Sequence, residues 1–481
     1  MSNIKFSIFY FLFLFINYYC IGQKTTFFDE FKLYNDSSIN NNQTNNNKIN
    51  SNEKIENIYV VGKIWGFLKY YHPAIAKGNY NWDYELLRIL PKILDKKFQQ
   101  RDSILAEWIE NLGDFEIEID NIMTEPNNVV LYPDLSWIET SGFEPNLVEL
   151  LEKVRYAKRS NTHYYISFSP PSAGNPIFKN EINYTEMIYP DIEYRLLCLI
   201  RYWNIINYYF PYKYLIDDNW EQVFADFIAR FINVRNEIEY LLTTSELVAK
   251  IKDSHAYCYT DHLLDSIYGI NILPAKISFI GDTAVVTGFF CDDFEKKMNF
   301  NKGDIILKIN EKEIKDIITE RAKIIPASNY PTLLRSVAAT LFRTNENSLH
   351  IEYFDGIAIQ QCSVPTFERT MFLTCKKSDT CFMLLEPNIS YLYINSLKEE
   401  YLPHLWKYIE NTEGLIIDLR NYPVSFIVYS LGSYLMRQPT PFAKSSMGSI
   451  MQPGTFTYKP ILKVGIENSN YYRGKVERKW C

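Results

Sequence analysis

The spacing of apolar positions divides the chain before composition is considered. From about residue 55, Ile58, Val61, Trp65 and Leu68 recur at intervals of three and four, which predicts a helix with one buried face. The proline of Tyr70-Tyr71-His72-Pro73 disfavours helical geometry in the residue before it and predicts where that helix stops. Asn81 is placed to cap a second helix, with Asp83 in the first turn where the helix dipole favours an acid, and Leu86, Ile89, Leu90 and Ile93 as the apolar face. The same pattern returns 138 residues later. Trp65, Tyr70, Tyr71, Pro73, Asn81 and Trp82 correspond to Trp203, Tyr208, Tyr209, Pro211, Asn219 and Trp220 with every interval preserved, and Ile58, Val61 and Leu68 correspond to Leu196, Leu199 and Ile206. Two helical hairpins of common design follow, with their aromatics reading as core.

The period then changes. Val129–Leu131 and Tyr164–Phe168 are strand-like, and Pro170-Pro171 with Gly174–Pro176 marks a loop. Thr243-Thr244-Ser245-Glu246 has the form of a capping box and predicts a helix starting there and running through Ile251, with Leu247, Val248 and Ile251 turned inward. His255–Tyr259 is expected to be extended. Lys276–Ile280 and Thr283–Thr287 flank Gly281-Asp282, a two-residue hairpin turn. Gly303–Asn310 gives a turn and a strand, Ser336–Phe342 a helix and Ser348–Tyr353 another strand. In the last region Tyr391–Ile394 and Gly414–Leu419 are short apolar strands separated by a helix over Glu399–Ile409. A strand, helix, strand unit of this length implies parallel pairing by a right-handed crossover. Sites in such sheets lie beyond the carboxyl ends of the strands, and Asp418-Leu419-Arg420-Asn421 occupies that place.

Composition adds compartment and excludes one class of partner. Lys5 followed by the apolar run Phe6–Ile16, with Cys20 and Gly22 before a cut after residue 22, predicts a secretory signal too short to remain as a transmembrane anchor. Export to a periplasm or the cell surface or exterior is expected. Asn35–Asn52 is almost wholly Asn, Ser, Thr and Gln, and the reading is a disordered tether over 23–54. The domain reading continues with a helical region over 55–235, the first part of a core over 236–268, a β-rich module over 269–360 and the rest of the core over 361–481. The net charge of −7 offers no basic face for nucleic acid. Eight cysteines, with spacings such as Cys375-x5-Cys381, form no metal signature and leave room for one disulfide.

The candidate chemistry centres on Ile251–Tyr257, where Ser254 and His255 sit side by side in a chain with only 6 histidines. An imidazole titrates near neutrality and can take a proton from a hydroxyl nucleophile. A metal site from His255, Cys258 and His262 is the competing arrangement, but on an extended segment His255 and Cys258 point to opposite faces. Ser445, Ser446 and Ser449 lie around the Gly- and Pro-containing loop Met447–Gly454, where serine is ordinary turn chemistry. No cofactor is implied.

In their order and spacing, Leu247–Ala256, Gly303–Asn310 and Leu415–Arg420 resemble the tail-specific (C-terminal processing) serine peptidase family, particularly its tricorn-like branch, over about residues 55–475. The Gly303–Asn310 phrase with its flanking strands resembles a PDZ domain, a module that adds a peptide strand to a sheet edge and captures terminal carboxylates. The resemblance implies a multidomain α+β chain: helical N-terminal repeats, a PDZ-like β-rich module and an α/β peptidase core of crotonase/ClpP-like type. It implies His255 as general base with Ser254 as its orienter, and a peptide or unfolded protein as substrate. The family's oxyanion donor would fall at or next to Pro423, which has no N–H, so Tyr422 is the candidate. Its nucleophilic serine would follow an apolar strand beyond Val476, where this sequence reads Glu477-Arg478-Lys479-Trp480-Cys481. The expectation is therefore a truncated, inactive core with no nucleophile in the chain and an exposed sheet edge at Gly414–Leu419. The alternative is a non-catalytic peptide- or protein-binding protein.

Overall fold

Helix α1, Thr44–Tyr71, and helix α2, Trp82–Ile93, make the first hairpin, with a short helix over Pro73–Ala76 between them. The computed structural model describes residues 44–118, 128–169, 174–256, 261–372, 380–386, 388–436 and 438–466. The signal segment, residues 23–43 of the expected tether, Cys258 and residues 467–481 lie outside these. Within them, α1 begins at Thr44, inside the stretch expected to be disordered. Once a helix is nucleated, each further residue adds one backbone bond, so polar residues extend a helix whose apolar stripe begins at Ile55. The Asn81 side chain accepts from Tyr84 N, as its N-cap position predicts. Helices α3, Phe98–Glu110, and α4, Pro145–Arg155, flank this hairpin, and Trp108 of α3 stacks on Trp82 at 5.0 Å.

The second hairpin is α5, Ile192–Tyr209, with α6, Trp220–Asn233, and Asn219 caps it by accepting from Glu221 N and Gln222 N. Each hairpin is closed by two indoles. Trp65 Nε1 donates to Trp82 O at 2.8 Å and Trp82 Nε1 to Trp65 O at 2.9 Å. Trp203 and Trp220 repeat the exchange at 2.8 and 3.2 Å. The two hairpins also exchange charge through positions of like sign at the repeat interval. Lys63 of the first pairs with Glu221 of the second at 3.0 Å, while Arg201 of the second grips Asp83 of the first through Nε at 3.1 Å and through Nη2. Asn57 donates to the carbonyls of Leu94 and Lys96, and its counterpart Arg195 donates to those of Ile232 and Val234. α1 and α5 meet where Gly66 faces its own counterpart, Asn204. A Cβ on Gly66 would fall 1.8 Å from the Asn204 amide oxygen, so only glycine permits this approach.

Helix α7 spans Glu237–Ala249 and α8 Asp261–Tyr268. The capping-box expectation at Thr243 is corrected here. Asn236 caps α7 by accepting from Glu239 N, so Thr243–Glu246 lies mid-helix, and Thr244 and Ser245 bond back to Tyr240 O and Leu241 O. A capping box read from four letters cannot compete when a stronger cap and helix-compatible residues precede it. The β-rich segment is an antiparallel sheet of β1, Ala275–Ile280; β2, Thr283–Phe289; β3, Ile305–Ile309; β4, Ser348–Phe354; and β5, Ile359–Pro365, in spatial order β5-β4-β3-β2-β1. The β1–β2 turn falls at Gly281-Asp282, with φ of 57° at Gly281. Helices α9, Ile314–Ala322, and α10, Tyr330–Thr340, pack on this sheet around Ala284, Val286, Ile306, Val337 and Ile351. α10 starts six residues ahead of the expected Ser336 because Asn329 caps it and Pro331 occupies its first turn.

The described chain groups into two compact units, one through residue 374 together with 448–457, the other 375–447 with 458 onward. In the second, β6, Phe382–Glu386; β7, Ile389–Tyr393; and β8, Gly414–Asp418, form a sheet in that order. β7 and β8 are parallel, with Tyr393 opposite Asp418, as the strand, helix, strand pattern requires. Helices α11, Leu402–Ile409, and α12, Val428–Leu435, cover one face around Leu392, Trp406, Leu431 and Tyr434. Among the described residues β8 is an edge strand, and Ile416 on it is 46% exposed.

Replacing Trp65 by Phe removes one indole donor while the Trp82 carbonyl keeps its helical partner, so the lost hydrogen bond should cost about 0.5–1.5 kcal/mol, read as a lower urea midpoint. Acid should weaken the helical unit as well. Burial lowers the pKa values of His72 and His163 from 6.5 to about 4. Between those values the unfolded chain binds protons that the folded one refuses, so stability is complete above about pH 6.5 and falls as the pH drops towards 4, by up to about 1.4 kcal/mol per unit for each ring. Urea midpoints at pH 7.5 and pH 5 test this, and a midpoint that holds or rises on acidification contradicts it.

Candidate functional site

The end of α7 is where the chain is turned towards its candidate base. Leu247 and Ile251 are buried in the helical core and fix the helix end. Lys250 pairs with Asp218 at 3.2 Å and Lys252 with Asp217, both acids from the segment just before α6. Lys252 has φ of +50°, the left-handed conformation that ends a helix by reversing its direction. Asp253–Ala256 then forms a turn closed by Ala256 N on Asp253 O at 2.9 Å. Of the run His255–Tyr259 expected to be extended, His255 instead lies in this turn, and Tyr257–Tyr259 lies outside the described residues.

Inside that turn Asp253 Oδ1 accepts from His255 N at 2.9 Å and lies 2.9 Å from His255 Nδ1. An ionised carboxylate has no proton to give, so in the neutral ring Nδ1 carries the hydrogen and Nε2 carries the lone pair. The His255 side chain is 81% exposed and Asp253 26%, which leaves Nε2 open to whatever approaches. Ser254, expected to orient His255, is turned elsewhere. Its N–H donates to Ser328 Oγ at 3.0 Å, its Oγ accepts from Ser328 N at 2.9 Å, and the two hydroxyls lie 3.1 Å apart. The carboxylate that holds the imidazole is Asp253. Its place two residues before His255 is a sequence signal for such a turn, because Asp side chains bond backbone two positions on. Ser328 is 74 residues away and carries no such signal.

The second unit holds the other candidate cluster. At the carboxyl end of β8, Asp418 receives Arg420 Nε at 2.9 Å, Arg420 Nη2 at 2.6 Å, Arg420 N at 3.0 Å and the Tyr391 hydroxyl. The guanidinium fork of Arg420, then Tyr391 and the Arg420 amide, hold the Asp418 carboxyl well below the usual range. The same carboxylate pushes the Tyr391 phenol up. Tyr391, Ile416, Ile417, Asp418, Leu419 and Arg420 line an open pocket of about 460 Å3. Asn421 donates to Tyr393 Oη at 2.8 Å, and Tyr422, the candidate oxyanion donor, follows with its residue 73% exposed. Ser449 Oγ accepts from Gln452 N, the turn role expected of it. Cys291 is disulfide-bonded, whereas Cys198, Cys362 and Cys381 are free thiols. The alternative metal set is not placed, since Cys258 and the His262 side chain lie outside the described residues.

No family model matches the chain, and no curated protein matches it. Among solved structures, mature CPAF aligns with a TM-score of 0.40 and 12% identity over 53% of this chain and 60% of its own. A point mutant of CPAF gives a TM-score of 0.40 with 13% identity over 53% of this chain and 61% of that one. The photosystem II D1 C-terminal processing protease gives 0.30 and 12% over 57% of this chain and 72% of that one. The chain thus spans about 60% of the CPAF chains it matches.

Asp418→Asn removes the charge that resists ionisation of the neighbouring phenol. The Tyr391 titration should move down towards the ordinary tyrosine range of about 10, followed by NMR of ring-labelled tyrosine. An unmoved titration contradicts the arrangement.

Proposed function

We propose that this chain is of the exported, tail-specific serine-type peptidase kind, whose substrates are peptides or unfolded protein tails, with His255 as its base. The observation that supports it most is the Asp253–His255 bond at Nδ1, which leaves an exposed Nε2 free to accept a proton. A serine hydroxyl attacks a peptide carbonyl only when a placed base removes its proton, and the same imidazolium then protonates the leaving amine. Asp253 fixes the tautomer that this task needs. The antiparallel β1–β5 sheet supports a PDZ-like reading: among the described residues β1 is an edge strand with α10 beside it, the setting in which a peptide adds as a further strand. The disulfide at Cys291 fits an oxidising compartment, in line with the predicted signal. No helix among the described residues is long and apolar enough to cross a membrane.

The nucleophile is not among the described residues in this reading. Ser254 and Ser328, the hydroxyls of the His255 turn, are engaged with each other. Tyr422 remains the candidate donor to an oxyanion, with Pro423 unable to help. The 481-residue chain is therefore proposed to hold peptide without cutting it. Pro423, at or next to the place of the expected donor, also favours the second reading, a peptide-binding protein with no chemistry.

The test offers the purified chain an unfolded protein and a serine-reactive phosphonate. Peptide retention with no labelled serine is expected, and labelling anywhere in residues 44–466 overturns the absence of a nucleophile. Where a serine labels, His255→Ala should abolish the labelling. Labelling that survives His255→Ala removes His255 from the mechanism, and retention of peptide with no labelling leaves the binding reading.

A further inference from the structure

The bonds inside the Asp253–Ala256 turn set its shape but not its place. Ala256 N on Asp253 O, and His255 N and Nδ1 on Asp253 Oδ1, all close within four residues. What ties the turn to distant chain is different on its two sides. Before it, Lys250 and Lys252 reach Asp218 and Asp217 through flexible, largely exposed ion pairs, which contribute little fixed geometry. At its centre, Ser254 is joined to Ser328 by a reciprocal exchange in which each hydroxyl oxygen accepts the other residue's backbone N–H. Ser254 lies between the carboxylate and the imidazole in sequence, so its backbone sets the orientation of both.

Ser328 is itself held on two sides by its neighbours. Asn329 caps α10 by accepting from Thr332 N at 2.9 Å. Tyr330 donates its hydroxyl to Asp282 Oδ1 at 2.8 Å, in the β1–β2 turn. Three consecutive residues thus fasten the His255 turn, the start of a helix and a hairpin tip to one short segment.

We propose that Ser328 is a positioning residue for His255: its hydroxyl and amide clamp Ser254 and so hold the imidazole on Asp253 in the Nδ1–H form. The proposal rests on the reading of His255 as a base oriented by Asp253. Ser328 touches neither substrate nor reacting atoms. It acts through Ser254, and it makes the aim of His255 depend on the β-rich segment rather than on α7 alone.

The test needs no turnover and uses the full chain. Nitrogen-15 NMR of the histidine rings reports which ring nitrogen carries the proton, and His255→Gln assigns the signal. Ser328→Ala should lower the Nδ1–H population of His255 and speed exchange of that proton about fivefold or more, the scale expected for loss of one hydrogen bond. Ser254→Ala should do the same. Ser328→Thr, which keeps the hydroxyl and the amide, should restore the parent signal. The thermal midpoint of Ser328→Ala should stay within about 2 °C of the parent, since the site is exposed. Asp253→Ala, which removes the accepting oxygen, separates the two claims. If Asp253→Ala changes the tautomer and Ser328→Ala does not, the positioning role of Ser328 is overturned and the base reading stands. If Asp253→Ala leaves the tautomer unchanged, the orienting bond itself is refuted, and the role of Ser328 with it.

Discussion

The reciprocal bonding of tryptophan pairs is the constraint on which the helical unit depends. An indole has one donor and no acceptor, so a buried pair of them must find carbonyls elsewhere. Here each finds the backbone carbonyl of the other, which locks the end of one helix against the start of the next without a water or a third residue. Leu247 and Ile251 belong to the same buried core and fix the end of α7, from which the chain enters the His255 turn.

The two candidate carboxylates show how differently the same group can be used. Asp418 is saturated: a guanidinium fork, a backbone amide and a phenol occupy its oxygens, and a group held so far towards its ionised form is a poor proton carrier near neutrality. Its work is to shape the end of β8. Asp253 spends one oxygen on two N–H groups of a single histidine, which is the economy of an orienting residue. The contrast is one of geometry: the Asp418 corner closes on itself, while Asp253 leaves His255 Nε2 open to solvent.

Much of the helical architecture is legible in the sequence because its signals are local or exactly repeated. The stripe through Ile58, Val61, Trp65 and Leu68 and the caps at Asn81 and Asn219 each act within a few residues. The cross-hairpin ion pairs are legible only as matched sign, a cation at 63 and 201 and an acid at 83 and 221, and nothing local says which acid each cation meets. The capping box at Thr243 misleads because four residues do not reveal a better cap at Asn236. At the site, the pairing of His255 with an adjacent hydroxyl is visible in the sequence, and so is the aspartate two places earlier. The contact of Ser254 with Ser328 depends on how a β-rich segment returns to the end of a helix, a tertiary fact with no periodicity behind it.

The exchange of charges between the hairpins has a further consequence. Lys63 meets the acid of the other copy, and so does Arg201, while Gly66 lies against its own counterpart Asn204. Contacts in which position i of one half meets position j of the other, and j meets i, are those of a two-fold dimer. The helical unit is in this sense a dimer written on one strand of polypeptide. Its halves differ where they meet, glycine on one side of the axis and asparagine on the other, which two identical subunits could not do.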